Sequence, residues 1–242
     1  MVAVILAPRR HALFILAALA VLMSSIDNTI VAVALPEIKR TLDAPLTWTS
    51  WTLTSYQLVQ VVMFPLAGKL SDSLGRTRVF IFSVATFTLA SLLCGLAPNI
   101  ALLIVFRALQ AIGGGGLLPS AVGIIADRYQ ERRAQAVGII GSAMPMGTIV
   151  GPNLGGFLLQ VWTWRALFWV NVPIGIAIMV GVLALSGRMS SRRPRARPRI
   201  DLLGLVLYAA AIVGLIYAMT VVANNPAEAS RPLVWGLLVL SL

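Results

Sequence analysis

Two charged side chains stand inside runs too apolar to hold a charge without a reason. Asp27 lies in SSIDNTIVAVALP, residues 24–36, and Arg107 lies in FRALQAIGGGG, residues 106–116. Burying either charge alone in a bilayer costs at least about 2.5–3.5 kcal/mol, so each needs the other or needs water. One outcome is a fixed ion pair that only clamps two helices together. The other is a site that takes and releases a proton: burial disfavours the carboxylate charge, the arginine favours it, and a change of surroundings tips the balance. Ser24, Asp27, Asn28 and Val31 follow i, i+3, i+4, i+7. Their polar atoms therefore share one helix face, and that face turns away from lipid.

Other residues invite the same question. Tyr56, Gln57 and Gln60 are polar positions in another apolar run, and with Asn28 they are candidates to line a shared cavity or to join helices. In GSAMPMGTIVGPNLGGFL, residues 141–158, Gly147, Gly151 and Gly155 recur every fourth position and form a stripe that lets backbones approach. Pro145 and Pro152 remove hydrogen bonds and predict a bend there. The run Gly113–Gly116, followed by Pro119, predicts a weak or bendable backbone. In GKLSDSLGRTR, residues 68–78, Gly75 suits a tight turn and Asp72 is a candidate cap for the following helix. Cys94 is the only cysteine and reads as a small buried apolar residue. No metal-ligand cluster and no nucleophile–base pair stands out, and His11 sits alone, so neither a metal site nor an enzyme is expected.

The elements that must position these residues are membrane spans. The chain has 242 residues, of which 59% are hydrophobic and 11% charged, with mean hydropathy +0.91. A soluble domain carries about 25% charged residues, so this composition predicts an all-α polytopic membrane protein. Spans are expected near 12–36, 48–68, 79–97, 100–126, 134–160, 166–186 and 202–222. An eighth begins near Pro232 and is too short to cross. Residues 1–186 thus read as a six-helix bundle, 187–200 as a basic linker held at anionic lipid, and 201–242 as a seventh helix and the start of an eighth.

Lys and Arg set the expected orientation. Fourteen lie on the side of the N-terminus and the linker, among them Arg9, Lys69, Arg76, Arg128 and Arg188, and four lie on the other side. Positive residues favour the cytoplasm, which places the N-terminus there. All six Trp fall near the opposite helix ends, as an aromatic belt does. The net charge of +11 is explained by this bias, without nucleic acid. An Arg pair before an apolar run resembles a signal peptide, but the apolar pattern continues to Pro36 as a full span. The preference for Arg over Lys suggests a bacterial source.

Several stretches together resemble the major facilitator superfamily, and within it the fourteen-helix drug:proton antiporters of the EmrB/QacA type. SIDNTIVAVALP resembles the helix 1 motif of that branch, and GKLSDSLGRTR the loop signature of the superfamily. RALQAIGGG resembles the helix 4 motif, GTIVGPNLGG the helix 5 antiporter motif, and WRALFWVNVPIG the start of helix 6. Two positions depart from the pattern, Ala32 where Asn is usual and Ala111 where Gly is usual. The resemblance implies proton coupling at Asp27 and Arg107. It implies a cytoplasmic gate at Gly68, Asp72, Gly75, Arg76 and Arg78. It also implies that Gly147, Gly151, Pro152, Gly155 and Gly156 sit where two bundles meet.

The expected function is therefore export of amphipathic, including cationic, small molecules across a bacterial cytoplasmic membrane, driven by a proton gradient and without a cofactor. On this reading the 242 residues supply one bundle. Transport would then require a C-terminal half or a second copy. Two other readings remain open, a non-transporting fragment or partner of another transporter, and an importer, which the helix 5 motif disfavours.

Overall fold

The computed structural model describes residues 2–186 and, further on, positions 204, 207, 208, 210, 211 and 214, with side chains described from His11 onward. The basic linker at 187–200, the eighth segment and most of the seventh lie outside the described residues. The chain divides into two compact units, Met1–Arg197 and Pro198–Leu242. In the second unit the described positions are helical, and no strand occurs among the described residues of the chain.

The first unit is built from α1 (Val2–Thr41), α2 (Leu46–Leu74), α3 (Arg76–Leu96), α4 (Ile100–Arg128), α5 (Arg133–Val161), α6 (Arg165–Trp169) and α7 (Asn171–Ser186). Among the described residues five stretches are long and apolar enough to cross a membrane: His11–Thr41, α3, α4, Gln130–Val161 and Arg165–Leu185. The last of these contains α6 and α7, separated only by Val170. The second helix, α2, matches the others in length but not in hydropathy, because its buried face carries Thr49, Thr52, Ser55, Tyr56 and Gln60. Its apolar Leu46, Trp48 and Trp51 are exposed instead. A helix polar on the inside and apolar on the outside is what a bilayer demands of a span lining a polar interior.

Helix ends differ from expectation: α1 begins at Val2, ten residues before the expected span, and α2 runs on to Leu74, six residues beyond it. Pro36 does not end α1, which runs on to Thr41. The extra turn is held by burial of Ile38 and by Trp164, whose Nε1 donates to Thr41 Oγ1 at 2.7 Å. Asp72 does not cap α3. It lies in the last turn of α2, and the residue before α3 is Gly75 at φ +101°, which joins the two helices with no other linking residue. That positive φ is strained for any side chain with a Cβ.

Glycine decides how the helices approach. The run Gly113–Gly116 is a packing hub inside an unbroken α4, not a break in it. A Cβ on Gly113 would meet the α3 backbone at Phe87 and Ser83, 2.5 Å and 2.6 Å away, and one on Gly115 would meet Gln60 and Met63 of α2. The α5 stripe faces α1: Gly147 packs on Ser25, Gly151 on Thr29 and Gly155 on Ile30. The three glycines thus close a seam between α5 and α1 within this bundle. Pro152 is exposed and Gly156 meets nothing, so these two lie outside the seam. Close backbone approach replaces side-chain interdigitation along such a stripe.

Two apolar clusters fill the interior. One gathers Leu13 to Met23 of α1, Phe80 to Phe87 of α3, Ala111 to Ile125 of α4 and Ile178 and Val182 of α7. The other gathers Ile30 to Ile38, Cys94, Leu103, Trp164, Leu167 and Phe168. On each of these elements a polar residue occupies the level between the clusters: Asp27 on α1, Ser91 on α3, Arg107 and Gln110 on α4, Asn171 at the start of α7.

The seam generates a contrast between two similar substitutions. Gly151→Ala forces a Cβ against Thr29 and the Ile26 carbonyl and should destabilise by about 1–3 kcal/mol. Gly156→Ala enters open space and should be neutral or stabilising by up to about 1 kcal/mol. Thermal unfolding of the two variants in detergent checks the difference, and equal midpoints would contradict it.

Candidate functional site

The polar level between the clusters is a closed hydrogen-bond network. Arg107 Nη1 donates to Asp27 Oδ2 at 2.6 Å, and both side chains are fully buried. The same nitrogen donates to Gln110 Oε1 at 2.6 Å, and Arg107 Nε donates to the Thr52 carbonyl of α2 at 3.2 Å. The other carboxylate oxygen, Asp27 Oδ1, accepts from Gln110 Nε2 at 2.9 Å and from Asn171 Nδ2 at 2.7 Å. Gln110 Nε2 also donates to Ser91 Oγ at 2.7 Å. The Arg107 guanidinium lies 4.1 Å from the Tyr56 ring centroid and 5.7 Å from that of Phe168. Among the described residues its Nη2 has no hydrogen-bond partner, and the two aromatic rings beside the guanidinium provide cation–π contact instead.

Helical spacing explains why these groups meet. Arg107 and Gln110 are one turn apart on α4 and present one face to α1. The residues that the sequence reading left without a role are Thr52, Ser91, Gln110 and Asn171. Gln110 and Asn171 stand inside the stretches RALQAIGGG and WRALFWVNVPIG, so the signal was present as an unexplained amide in an apolar run.

A cavity of ≈ 340 Å³ opens beside this network. Its wall includes Ser24, Asn28 and Thr29 of α1, Gln60 and Phe64 of α2, and Met144 and Thr148 of α5. Of the expected cavity residues, Asn28 and Gln60 line it. Tyr56 is buried behind the wall, and Gln57 is exposed and takes no part. Asp27 is likewise not on the wall; it is buried against its hydrogen-bond partners on α4 and α7. One ring separates cavity from ion pair: Tyr56 Oη shares a hydrogen bond of 3.2 Å with Ser24 Oγ and accepts one of 3.4 Å from Gln60 Nε2. Asn28 Oδ1 is buried and has no hydrogen-bond partner among the described residues.

At the α2–α3 turn, Arg76 ties three elements together. Its Nη2 lies 3.0 Å from Asp72 Oδ1, and its Nη1 lies 2.9 Å from Asp127 Oδ1 and donates to the Gly123 carbonyl at 2.5 Å. Asp127, at the end of α4, is a partner that the sequence did not single out. Arg78 is exposed, and Gly68 and Gly75 have room around them. Both aspartates here are well exposed, so each pair is worth about 0–1 kcal/mol.

The model of the Major Facilitator Superfamily matches residues 17–241 of the chain. The chain belongs to that superfamily. It is 34% identical over 203 residues to the multidrug transporter protein MdtP of Bacillus subtilis, a match covering 84% of this chain and 37% of that protein. It is 36% identical over 211 residues to a multidrug resistance protein B homolog of Mycobacterium tuberculosis, covering 87% of this chain and 38% of that protein. It is also 38% identical over 232 residues to an uncharacterised MFS-type transporter of the same species, covering 96% and 33%. The chain thus spans a third to two-fifths of the length of these relatives. Among solved structures, the fold matches an inward-facing, occupied bacterial homolog of the human lysosomal transporter Spinster with TM-score 0.65 at 21% identity, over 97% of this chain and 59% of that one. It matches a peptide transporter POT with the same TM-score at 17% identity, over 92% and 47%. The all-helical bundle read from the sequence is therefore the superfamily fold.

The network makes Arg107 and Asp27 interdependent. Arg107→Leu leaves the carboxylate buried and uncompensated and should destabilise by about 3–5 kcal/mol. Adding Asp27→Asn should recover part of that loss, because no bare charge remains. Chemical unfolding of the purified variants measures both, and additive losses would contradict the arrangement.

Proposed function

We propose that this chain carries the proton site and one cavity wall of a proton-coupled exporter of amphipathic small molecules, of the fourteen-helix EmrB/QacA type. The protein would work in a bacterial cytoplasmic membrane with its N-terminus in the cytoplasm. The observation that carries this reading is the fully buried Asp27–Arg107 pair placed one aromatic ring behind a cavity. The multidrug names of two relatives support the substrate class.

The site suggests how the cycle proceeds. With Asp27 ionised, its two oxygens hold donors from α4 and α7, and the three helices are tied together. A proton arriving from the outer side binds a carboxylate oxygen and cancels its charge, while Arg107 stays charged. Charge-assisted hydrogen bonds are roughly twice as strong as neutral ones, so protonation loosens all three ties at once. Arg107 then leans on Tyr56, whose hydroxyl is bonded to Ser24 and Gln60 of the cavity wall. Through Tyr56 a change in the ion pair reaches the substrate. The wall mixes Val21, Phe64, Leu117 and Met144 with Ser24, Asn28 and Thr148, which suits a molecule with an apolar body and a few polar groups. Rocking of this bundle against a second one, from the rest of the protein or another copy, would release substrate outward.

Asp27→Asn keeps the shape of the side chain and removes its titration. In the full-length transporter reconstituted in proteoliposomes, export driven by a pH gradient should fall at least about tenfold, compared at equal amounts of folded protein because the variant also leaves the buried Arg107 charge uncompensated and lowers the unfolding midpoint. Unchanged gradient-driven export of a fluorescent amphipathic dye would refute the assignment.

A further inference from the structure

We infer that Asn171 is a positioning residue for the proton site, the group through which the sixth span senses the charge on Asp27. This rests on the proton-coupled reading above and goes beyond the Asp27–Arg107 pair. The two amides on Asp27 Oδ1 are held in different ways. Gln110 is fixed from several sides: its Nε2 reaches Ser91 on α3 as well as Asp27, and its Oε1 accepts from Arg107. It belongs to the same helix as the arginine and moves with it. Asn171 comes from another element and donates its Nδ2 to Asp27 Oδ1 at 2.7 Å, shorter than the 2.9 Å of Gln110.

The place of Asn171 in the chain gives that bond a consequence. It is the first residue of α7, just after the interruption at Val170 that separates α7 from α6. Pro173 follows two residues later and has no N–H to donate across the break. The start of α7 therefore has fewer backbone bonds to α6 than a continuous helix would, and its attachment to α1 at this level is the side-chain bond to Asp27. Elsewhere α7 packs by apolar and glycine contacts, Gly175 on Thr88 of α3 and Gly181 on Leu16 of α1. Those contacts are indifferent to charge, whereas the Asn171 bond is not. An amide N–H binds a carboxylate more strongly than a carboxylic acid, so Asn171 favours the ionised state and is released when the proton arrives.

The other groups facing Asp27 do not duplicate this role. The charged or titratable ones are Arg107 from α4, Tyr56 from α2 and Cys94 from α3. No ionisable side chain occurs in residues 134–161 of α5 or in 171–186 of α7. The arginine of α6, Arg165, donates to the Ala97 carbonyl instead. Asn171 is thus how the sixth span reports on a charge that it does not itself carry.

The test measures the pH dependence of gradient-driven dye export by the full-length transporter in proteoliposomes, for wild type, Asn171→Ala, Asn171→Ser and Asn171→Asp. Loss of the donor should move the midpoint of the pH profile upward by about one unit, a tenfold change in proton affinity. The hydroxyl of Asn171→Ser should restore part of the wild-type profile. Asn171→Asp, of the same shape but with an acceptor in place of the donor, should move the midpoint furthest. Lower export with an unmoved midpoint in all three variants would mean that Asn171 only packs, and would overturn the inference. Should Asn171→Ala fail to fold, the order of wild type, Asn171→Ser and Asn171→Asp decides the question by itself. Asp27→Asn separates this inference from the reading beneath it. A pH profile that persists in Asp27→Asn sinks both. A profile that vanishes there but stays unmoved in the Asn171 variants sinks only the role of Asn171.

Discussion

A carboxylate and a guanidinium buried together between two apolar layers set the terms for the rest of the bundle. Desolvating either charge is costly, and their attraction offsets that cost only when the remaining donors and acceptors are also satisfied. Asp27 meets this condition with three donors on two oxygens, and Arg107 meets it at Nη1 and Nε, through the Asp27 carboxylate, the Gln110 side chain and a backbone carbonyl, while its Nη2 stays without a hydrogen bond among the described residues and the guanidinium lies against two aromatic faces. Five different elements must therefore reach one point. The polar level where α1, α2, α4, α6 and α7 come together is the consequence, and the apolar clusters on either side keep water from it.

Such convergence needs helices closer than ordinary side chains permit. The glycines of α4 let it approach α2 and α3 beside Arg107, and those of α5 let it lie along α1 on both sides of Asp27. Hydroxyls of α1 complete that second seam: Ser25 Oγ donates to the Met144 carbonyl at 2.6 Å and Thr29 Oγ1 to the Gly147 carbonyl at 3.3 Å. The helix 5 stripe is thus part of what holds the acid in place. Its exposed neighbours, Pro152 among them, are the surface left over for other contacts.

The cavity and the ion pair are neighbours that do not overlap. A carboxylate on the cavity wall would be wetted whenever the cavity was, and its charge would follow the solvent. Enclosed behind Tyr56, Asp27 answers to its protein partners instead. The ring is well placed for this separation: its face meets the cation and its hydroxyl meets Ser24 and Gln60 at the wall.

Much of the fold was legible because a bilayer constrains sequence severely. Every span must be apolar over about 20 residues, and turns must be polar, so α3, α4 and α5 could be placed within a few residues of their observed ends, whereas α1 begins ten residues before and α2 ends six residues beyond the expected bounds. Pro36 misled because proline marks a helix end on average, and here a buried Ile38 and the Trp164 bond carried α1 one turn further. The pairing of Asp27 with Arg107 could be anticipated, since two opposite charges at like depth have few other solutions. What sequence by itself determined was thus which residues are too polar to face lipid and how deep they lie. It could not determine where each of them points around its helix axis, because that depends on which neighbour packs on which face. That is why Gln57 was grouped with Gln60, why Tyr56 was counted among the cavity residues, and why Asn171, about 140 residues from Asp27, went unassigned. Only the packed bundle decided these, through glycine contacts between helices that fix rotation as well as distance.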